Sequence, residues 1–244
     1  MHKCNYAEQK RSISLDAGLL CDKLLAQLEK QENFTLKRNS EVNLIRTTSG
    51  SGAVRSVSIV GKSFQEIKAD AVVLCTGAYT AQLLYGSMGI YAPLMPIKSY
   101  AFDVPTDTPF EPVHLRFIDS ALTAVRVEPE SWRMTAFGDI AGLNTDLDGR
   151  RARWAKNLAC LTIDLNEGLR AKNIKGILRT CSPDDLPVVG ALKRNPNLYV
   201  NSGHGGRTCA LSLACSKIVA DQLHGGASSP DEVQKLLAPL RFQM

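Results

Sequence analysis

A strand, a glycine-bearing turn and a helix follow one another twice in this sequence, once near residue 75 and again near residue 203. In the first instance Ala71-Val72-Val73-Leu74-Cys75 is a continuous apolar run, as expected for a strand covered on both faces, and it stops at Thr76-Gly77 before a helical stretch. In the second, the short strand Asn197-Leu198-Tyr199-Val200-Asn201 runs into Gly203-His204-Gly205-Gly206, after which Leu211, Cys215, Ile218 and Leu223 approximate one helical face. Such units build a layered α/β domain. Between them the rhythm changes. Strand-like segments at 99–104, 123–127 and 133–137 follow one another without long helices, and a helix around 150–163 closes the region. The expected fold class is α/β (α+β): an α/β domain, residues 1–96 and 171–244, interrupted by a mostly antiparallel sheet domain at 97–170.

The rest of the chain is consistent with that plan. Leu20, Leu24 and Leu28 recur at helical spacing after the candidate caps Ser14 and Asp16, which predicts an amphipathic helix over 16–31. Short strands are expected at 34–38, 42–47, 54–60 and 64–68, separated by turns such as Ser49-Gly50-Ser51-Gly52.

Composition excludes several classes. Of 244 residues 44% are hydrophobic and 22% charged, enough apolar material for one or two globular domains. The net charge of +5 is spread without a basic run, so nothing argues for nucleic acid, and Arg150, Arg151 and Arg153 are expected on a solvated helix face. Seven cysteines form no C-x-x-C pair and are odd in number, which favours reduced thiols in an intracellular, cytoplasmic setting, a mitochondrial one being compatible. Cys75, Cys181, Cys209 and Cys215 lie in or beside apolar runs and are expected to be buried packing residues. The four histidines lack the close spacing of zinc sites, so no metal is expected. No apolar stretch reaches the roughly 18 residues of a spanning helix, and the amino-terminal residues lack the apolar core of a signal peptide; peripheral membrane contact is compatible.

Two places can carry chemistry. Glycines between a strand and a helix let backbone amides approach a ligand, and the helix start adds partial positive charge; a plain tight turn has the same sequence, and His204 fits either. Arg179, in the run 177–190, offers a planar fork suited to a carboxylate. A structural ion pair with Asp184 or Asp185 is the other reading.

The segment Ala69 to Tyr79, Met95-Pro96-Ile97-Lys98-Ser99-Tyr100, Gly142-Leu143-Asn144-Thr145-Asp146-Leu147, the run Leu178 to Gly190 and Asn201-Ser202-Gly203-His204-Gly205 together resemble, in order and spacing, the small subunits of D-amino-acid dehydrogenases, within the D-amino-acid oxidase superfamily of FAD-dependent oxidoreductases. The resemblance covers residues from about 14 to 225. It implies FAD as cofactor, a split FAD domain and a sheet domain that covers the flavin. It also implies an amino-acid substrate oxidised by hydride transfer, giving a 2-oxo acid and ammonia. On matching positions, Val42 is implied at the adenine, Thr76 and Gly77 near the ribose and pyrophosphate, and Gly203, His204, Gly205 and Gly206 beside the flavin ring. Arg179 is implied to hold the substrate carboxylate, pointing into a cleft between lobes and toward residues 203–206.

Departures accompany these matches. The family opens with a strand, G-x-G-x-x-G and a helix that cradle the pyrophosphate, and no such fingerprint occurs in these 244 residues. Thr208 stands where the family has glycine, Ala210 where it has threonine, and Ser99 where it has glycine. Two expectations follow: an oxidoreductase whose flavin site is completed by a second polypeptide or by further sequence, or a non-catalytic remnant or partner subunit that does not bind FAD alone.

Overall fold

A computed structural model describes residues 15–61, 63–105, 114–117, 121–128, 131–163, 171–226, 230–239 and 241–242. In chain order the elements are α1 (Ala17–Leu28), β1 (Glu41–Thr47), β2 (Val54–Val60), β3 (Phe64–Lys68), β4 (Val72–Leu74), α2 (Thr80–Met88), β5 (Met95–Pro105), β6 (His114–Phe117), β7 (Leu122–Glu128), β8 (Ser131–Asp139), α3 (Gly149–Ile163), β9 (Lys172–Cys181), β10 (Val188–Leu192), β11 (Asn195–Ser202), α4 (Thr208–Leu223) and α5 (Asp231–Leu237). The chain divides into two compact units. One holds Ile97–Leu178 with the chain up to Gln27; the other holds Leu28–Pro96 with Arg179–Met244.

In the second of these units, β1, β2 and β3 form an antiparallel sheet, and β11 lies between β10, antiparallel, and β4, parallel. Apolar side chains from both stretches of sequence fill one core: Ile45, Leu74 and Leu84 pack with Val188, Leu198 and Val200. Alternation explains why, since one face of each strand turns inward. A second cluster joins Val189 and Tyr199 to Cys215, Ile218 and Val219 of α4. Asn197 clips the two sheets together: Val54 N–H donates to its Oδ1 at 2.7 Å, and its Nδ2 donates to the carbonyls of Val54 and Asp70, each at 2.8 Å. Asn197→Ala should therefore destabilise this unit by about 1 to 3 kcal/mol, the range for losing hydrogen bonds that satisfy backbone groups. Urea unfolding followed by circular dichroism checks it, and an unchanged midpoint would show that the clip contributes nothing to stability.

Three expectations need correction here. No strand forms at 34–38, where Phe34 N–H closes a turn onto the Gln31 carbonyl. β4 is only three residues long; Leu74 is buried, but Val73 on the opposite face is 38% exposed and Cys75 is exposed, so one face of this strand lies open. α1 forms, capped by Asp16, whose carboxylate accepts from Leu19 N–H at 3.0 Å, yet none of its residues is buried and Leu24 and Leu28 stay exposed. Spacing sets a helix's apolar stripe but does not supply the surface that covers it. Ser14 lies outside the described residues.

In the other unit the strands run β6-β7-β8-β5-β9 across one sheet, antiparallel from β6 through β5. One face, carrying Tyr100, Phe102, Leu122, Met134 and Ala136, packs against α3 through Ala155 and Ala159, small residues that let the helix sit close. β9 lies beside β5, so the sheet-rich unit runs on past residue 170 to Leu178. Arg151 departs from the expected solvated face. Its guanidinium chelates the Asp139 carboxylate and stacks 4.4 Å over the Phe137 ring.

Candidate functional site

The parallel pairing of β4 with β11 sets Leu198 opposite Val72, Tyr199 opposite Val73 and Val200 opposite Leu74. Both strands then end at the same edge, so the turn at Thr76-Gly77 and the loop at 203–206 become neighbours although they are remote in sequence. Carboxyl ends of adjacent parallel strands are where open α/β sheets bind ligands. A ladder of hydroxyls fixes one turn against the other: Thr76 and Thr80 oxygens lie 2.9 Å apart, Thr80 donates to Ser202 Oγ at 3.3 Å, and Ser202 donates to the Gly77 carbonyl at 3.2 Å. α2 and α4 continue from single 3-10 turns, Gly77–Tyr79 and Gly205–Arg207, that begin at these two places, and neither 3-10 turn carries a side-chain cap.

The glycines of the loop differ in purpose. Gly203 and Gly205 have φ of +78° and +56°, and a Cβ at either would crowd its own surroundings: 2.9 Å from Leu94 Cδ2 at 203, 3.2 Å from Asp185 Oδ1 at 205. Those two are required by the fold. Gly206 is different, because its backbone does not demand glycine and a Cβ there would stand 3.9 Å from Nη1 of Arg179 with no nearer neighbour. What glycine preserves at 206 is space beside a guanidinium.

Arg179 itself is exposed and makes no hydrogen bond or ion pair with the described residues. Both aspartates that could have claimed it are engaged elsewhere: Arg241 holds Asp184 through two bonds, at 2.8 and 2.9 Å, and Arg207 pairs with Asp185. Its position follows from β9, whose end reaches the loop through a bridge between Cys181 and His204. His204 is half-buried, its Nε2 has no hydrogen-bond partner, and burial pushes its pKa below the ordinary value, so the ring is neutral near pH 7. Val42 stands apart on β1, at a bulge, in the other sheet of the same unit; Ser87 of α2 ties β1 to the first turn's helix by accepting from Ile45 N–H at 2.9 Å.

The substituted positions have local explanations. Thr208 is helical, with φ of −49°, and its hydroxyl donates to the Gly205 carbonyl at 3.1 Å, so threonine stiffens the loop without strain. Ser99 sits at a bulge of β5 and donates to the Phe137 carbonyl at 2.9 Å. Ala210 is exposed. Among the described cysteines only Cys215 is fully buried; Cys181 is half-buried and Cys75 and Cys209 are exposed, correcting the packing role expected for those two. Sequence reasoning missed Thr80, Thr180 and Ser202, whose hydroxyls line or brace the paired turns. Only Ser202, next to the glycine loop, carried a sequence cue.

This is the fold of FAD-dependent oxidases of the DAO type. Glycine oxidase from Geobacillus kaustophilus matches with a TM-score of 0.71 at 19% identity, over 85% of this chain and 53% of that one. L-proline dehydrogenase from P. horikoshii matches with a TM-score of 0.68 at 17% identity, over 84% and 54% of the two chains. Residues 9–222 match the FAD dependent oxidoreductase family (DAO), and the chain belongs to that family. Among curated relatives, D-amino acid dehydrogenase from Granulibacter bethesdensis is 27% identical over 183 residues, 75% of this chain and 43% of that protein. The chain thus spans about half the length of the relatives it matches.

FAD is the cofactor of this family. The residues present fit part of it: the orphaned Nε2 of His204, the uncapped turn Gly205–Arg207 and the Cβ-free space at Gly206 can receive a polar group. The glycine fingerprint for the pyrophosphate does not occur in these 244 residues. Among the described residues no helix is long and apolar enough to cross a membrane.

Proposed function

We propose that this chain serves the FAD-dependent oxidative deamination of a D-amino acid to a 2-oxo acid and ammonia. The observation that carries the reading is the uncommitted guanidinium of Arg179 beside the open space at Gly206, with Asp184 and Asp185 both bound to other arginines. A planar fork of this kind, once paired with a carboxylate through two N–H bonds, orients it and with it the α-hydrogen. The amides of residues 203–206, at the turn before α4, would offer partial positive charge to a bound flavin ring, and neutral His204 would offer Nε2 for a hydrogen bond to it. Thr76 and Gly77 would meet the ribose and pyrophosphate, and Val42 the adenine. FAD, when bound, supplies the hydride acceptor for the substrate α-carbon. The amine proton leaves to solvent, and water then adds to the released imino acid, expelling ammonia. The choice of a D-amino acid rests on the dehydrogenase relative. The comparisons offer no support for a second polypeptide, and none is included.

The test uses a flavin-loaded form, this chain joined to a dinucleotide-binding segment, assayed with D-alanine, L-alanine and glycine for oxo-acid and ammonia. Turnover of D-alanine supports the proposal; a loaded form inert toward all three would return the chain to the non-catalytic reading. A related expectation concerns the 244 residues by themselves: they should hold FAD weakly, because phosphate recognition depends on glycine-loop amides that this sequence does not contain. The flavin absorbance spectrum of the purified chain, with and without added FAD, checks this. Copurified stoichiometric FAD would refute it.

A further inference from the structure

We infer that a cavity in the sheet-rich unit is a second small-molecule site, built to take a free α-amino acid as its zwitterion, carboxylate inward and ammonium at the mouth. The cavity, of about 570 Å³, opens between β5, the end of β8, the loop at 140–148 and the start of α3, and none of the residues assigned above to FAD or substrate lines it. Its floor holds Lys98 and Tyr100, only 5% and 2% exposed. Lys98 has three N–H donors and one hydrogen-bond acceptor among the described residues, the Asp146 carbonyl, with Nζ 5.5 Å from the Tyr100 ring. The Tyr100 hydroxyl has no hydrogen-bond partner among the described residues and is open to the cavity. Both groups line the cavity, where a carboxylate can accept from them.

The mouth has the opposite sign. Asp146 and Asp148 are exposed; the Asp146 carboxylate makes no bond to the described residues, and Asp148 caps α3 by accepting from the N–H groups of Arg150 and Arg151 at 2.8 and 3.2 Å, bonds that hold it ionised. The remaining cation of the lining, Arg151, is spent on Asp139. Buried donors below exposed carboxylates suit neither a plain anion, which the mouth repels, nor a plain cation, which Lys98 repels. A zwitterion meets both. The loop is also held in place: Asn144 Oδ1 accepts from Asp146 N–H at 2.6 Å, which turns the Asp146 carbonyl toward Lys98, and a Cβ at Gly176 of β9 would lie 2.5 Å from the Thr145 carbonyl. The motif at 142–147, to which the proposed catalysis assigns no role, thereby acquires one.

Isothermal titration and amide NMR of the full 244-residue chain, with D-alanine, propanoate and ethylamine as ligands, decide the matter. D-alanine should bind saturably and move amide signals of residues 139–151, while propanoate and ethylamine, each lacking one charge, bind about tenfold or more weakly. Tyr100→Phe, which keeps the ring, should weaken D-alanine by about tenfold, and Arg179→Ala should leave these signals unchanged. The inference falls if no saturable binding occurs, if propanoate binds as well as D-alanine, or if Arg179→Ala abolishes the response while Tyr100→Phe does not.

Discussion

Arg179→Lys in a flavin-loaded form should lower kcat/KM by roughly thirty-fold to several-hundred-fold, on the order of 2 to 4 kcal/mol of lost transition-state binding. An ammonium keeps the charge but cannot reproduce two parallel N–H bonds to a carboxylate, so orientation of the α-carbon suffers as well as affinity. Stability should hardly change, because the side chain is exposed and makes no hydrogen bond or ion pair with the described residues. A purely structural arginine would behave in the opposite way, with a lowered unfolding midpoint and intact turnover. Steady-state kinetics with a D-amino acid, paired with urea unfolding of the same variant, separates the two. Unaltered kinetics in a folded Arg179→Lys protein would remove this residue from the site.

Arg241→Ala should cost about 2 to 4 kcal/mol of stability, since truncating one partner of a largely desolvated pair strands the other and the carbonyls around it. Only 10% of the Arg241 side chain is exposed; besides Asp184 it donates to the carbonyls of Leu186, Pro187, Leu237 and Ala238, which pins the carboxyl-terminal residues to the turn after β9. Solvent at the Asp184 end, which is a third exposed, keeps the cost below that for a fully buried pair. The same contact has a pH signature. The Arg241 guanidinium, helped by the Leu186 N–H and the Ser182 hydroxyl, holds the Asp184 carboxyl well below the usual carboxylate range. A carboxylate whose pKa falls on folding contributes stability that is complete above its unfolded value, about 4, and is lost as pH drops through the lower folded value. Unfolding midpoints should therefore decline on acidification below about pH 4, and Asp184→Asn should flatten that limb. An acid limb of equal steepness in the Asn variant would assign it to other carboxylates.

Most of the secondary-structure elements are legible in local sequence pattern alone. The runs at 54–60 and 64–68 are β2 and β3 with those same bounds, the strands at 99–104, 123–127 and 133–137 are the centres of β5, β7 and β8, and the glycine turns stand where strands hand over to helices. Periodicity, turn chemistry and the ordered motifs are properties of short stretches of chain, so they survive translation into one dimension. Other features depend on which distant segment arrives next to which. The parallel register that joins Thr76-Gly77 to residues 203–206, the exposure of Val73, Cys75 and Cys209, and the capture of Arg151 by Asp139 have no local signal. Arg179 is the sharpest case. In the sequence, Asp184 and Asp185 are equally placed to neutralise it; in the fold Arg241 and Arg207 take them, because Coulomb attraction and bidentate geometry depend on distances through space, which only the packed chain sets.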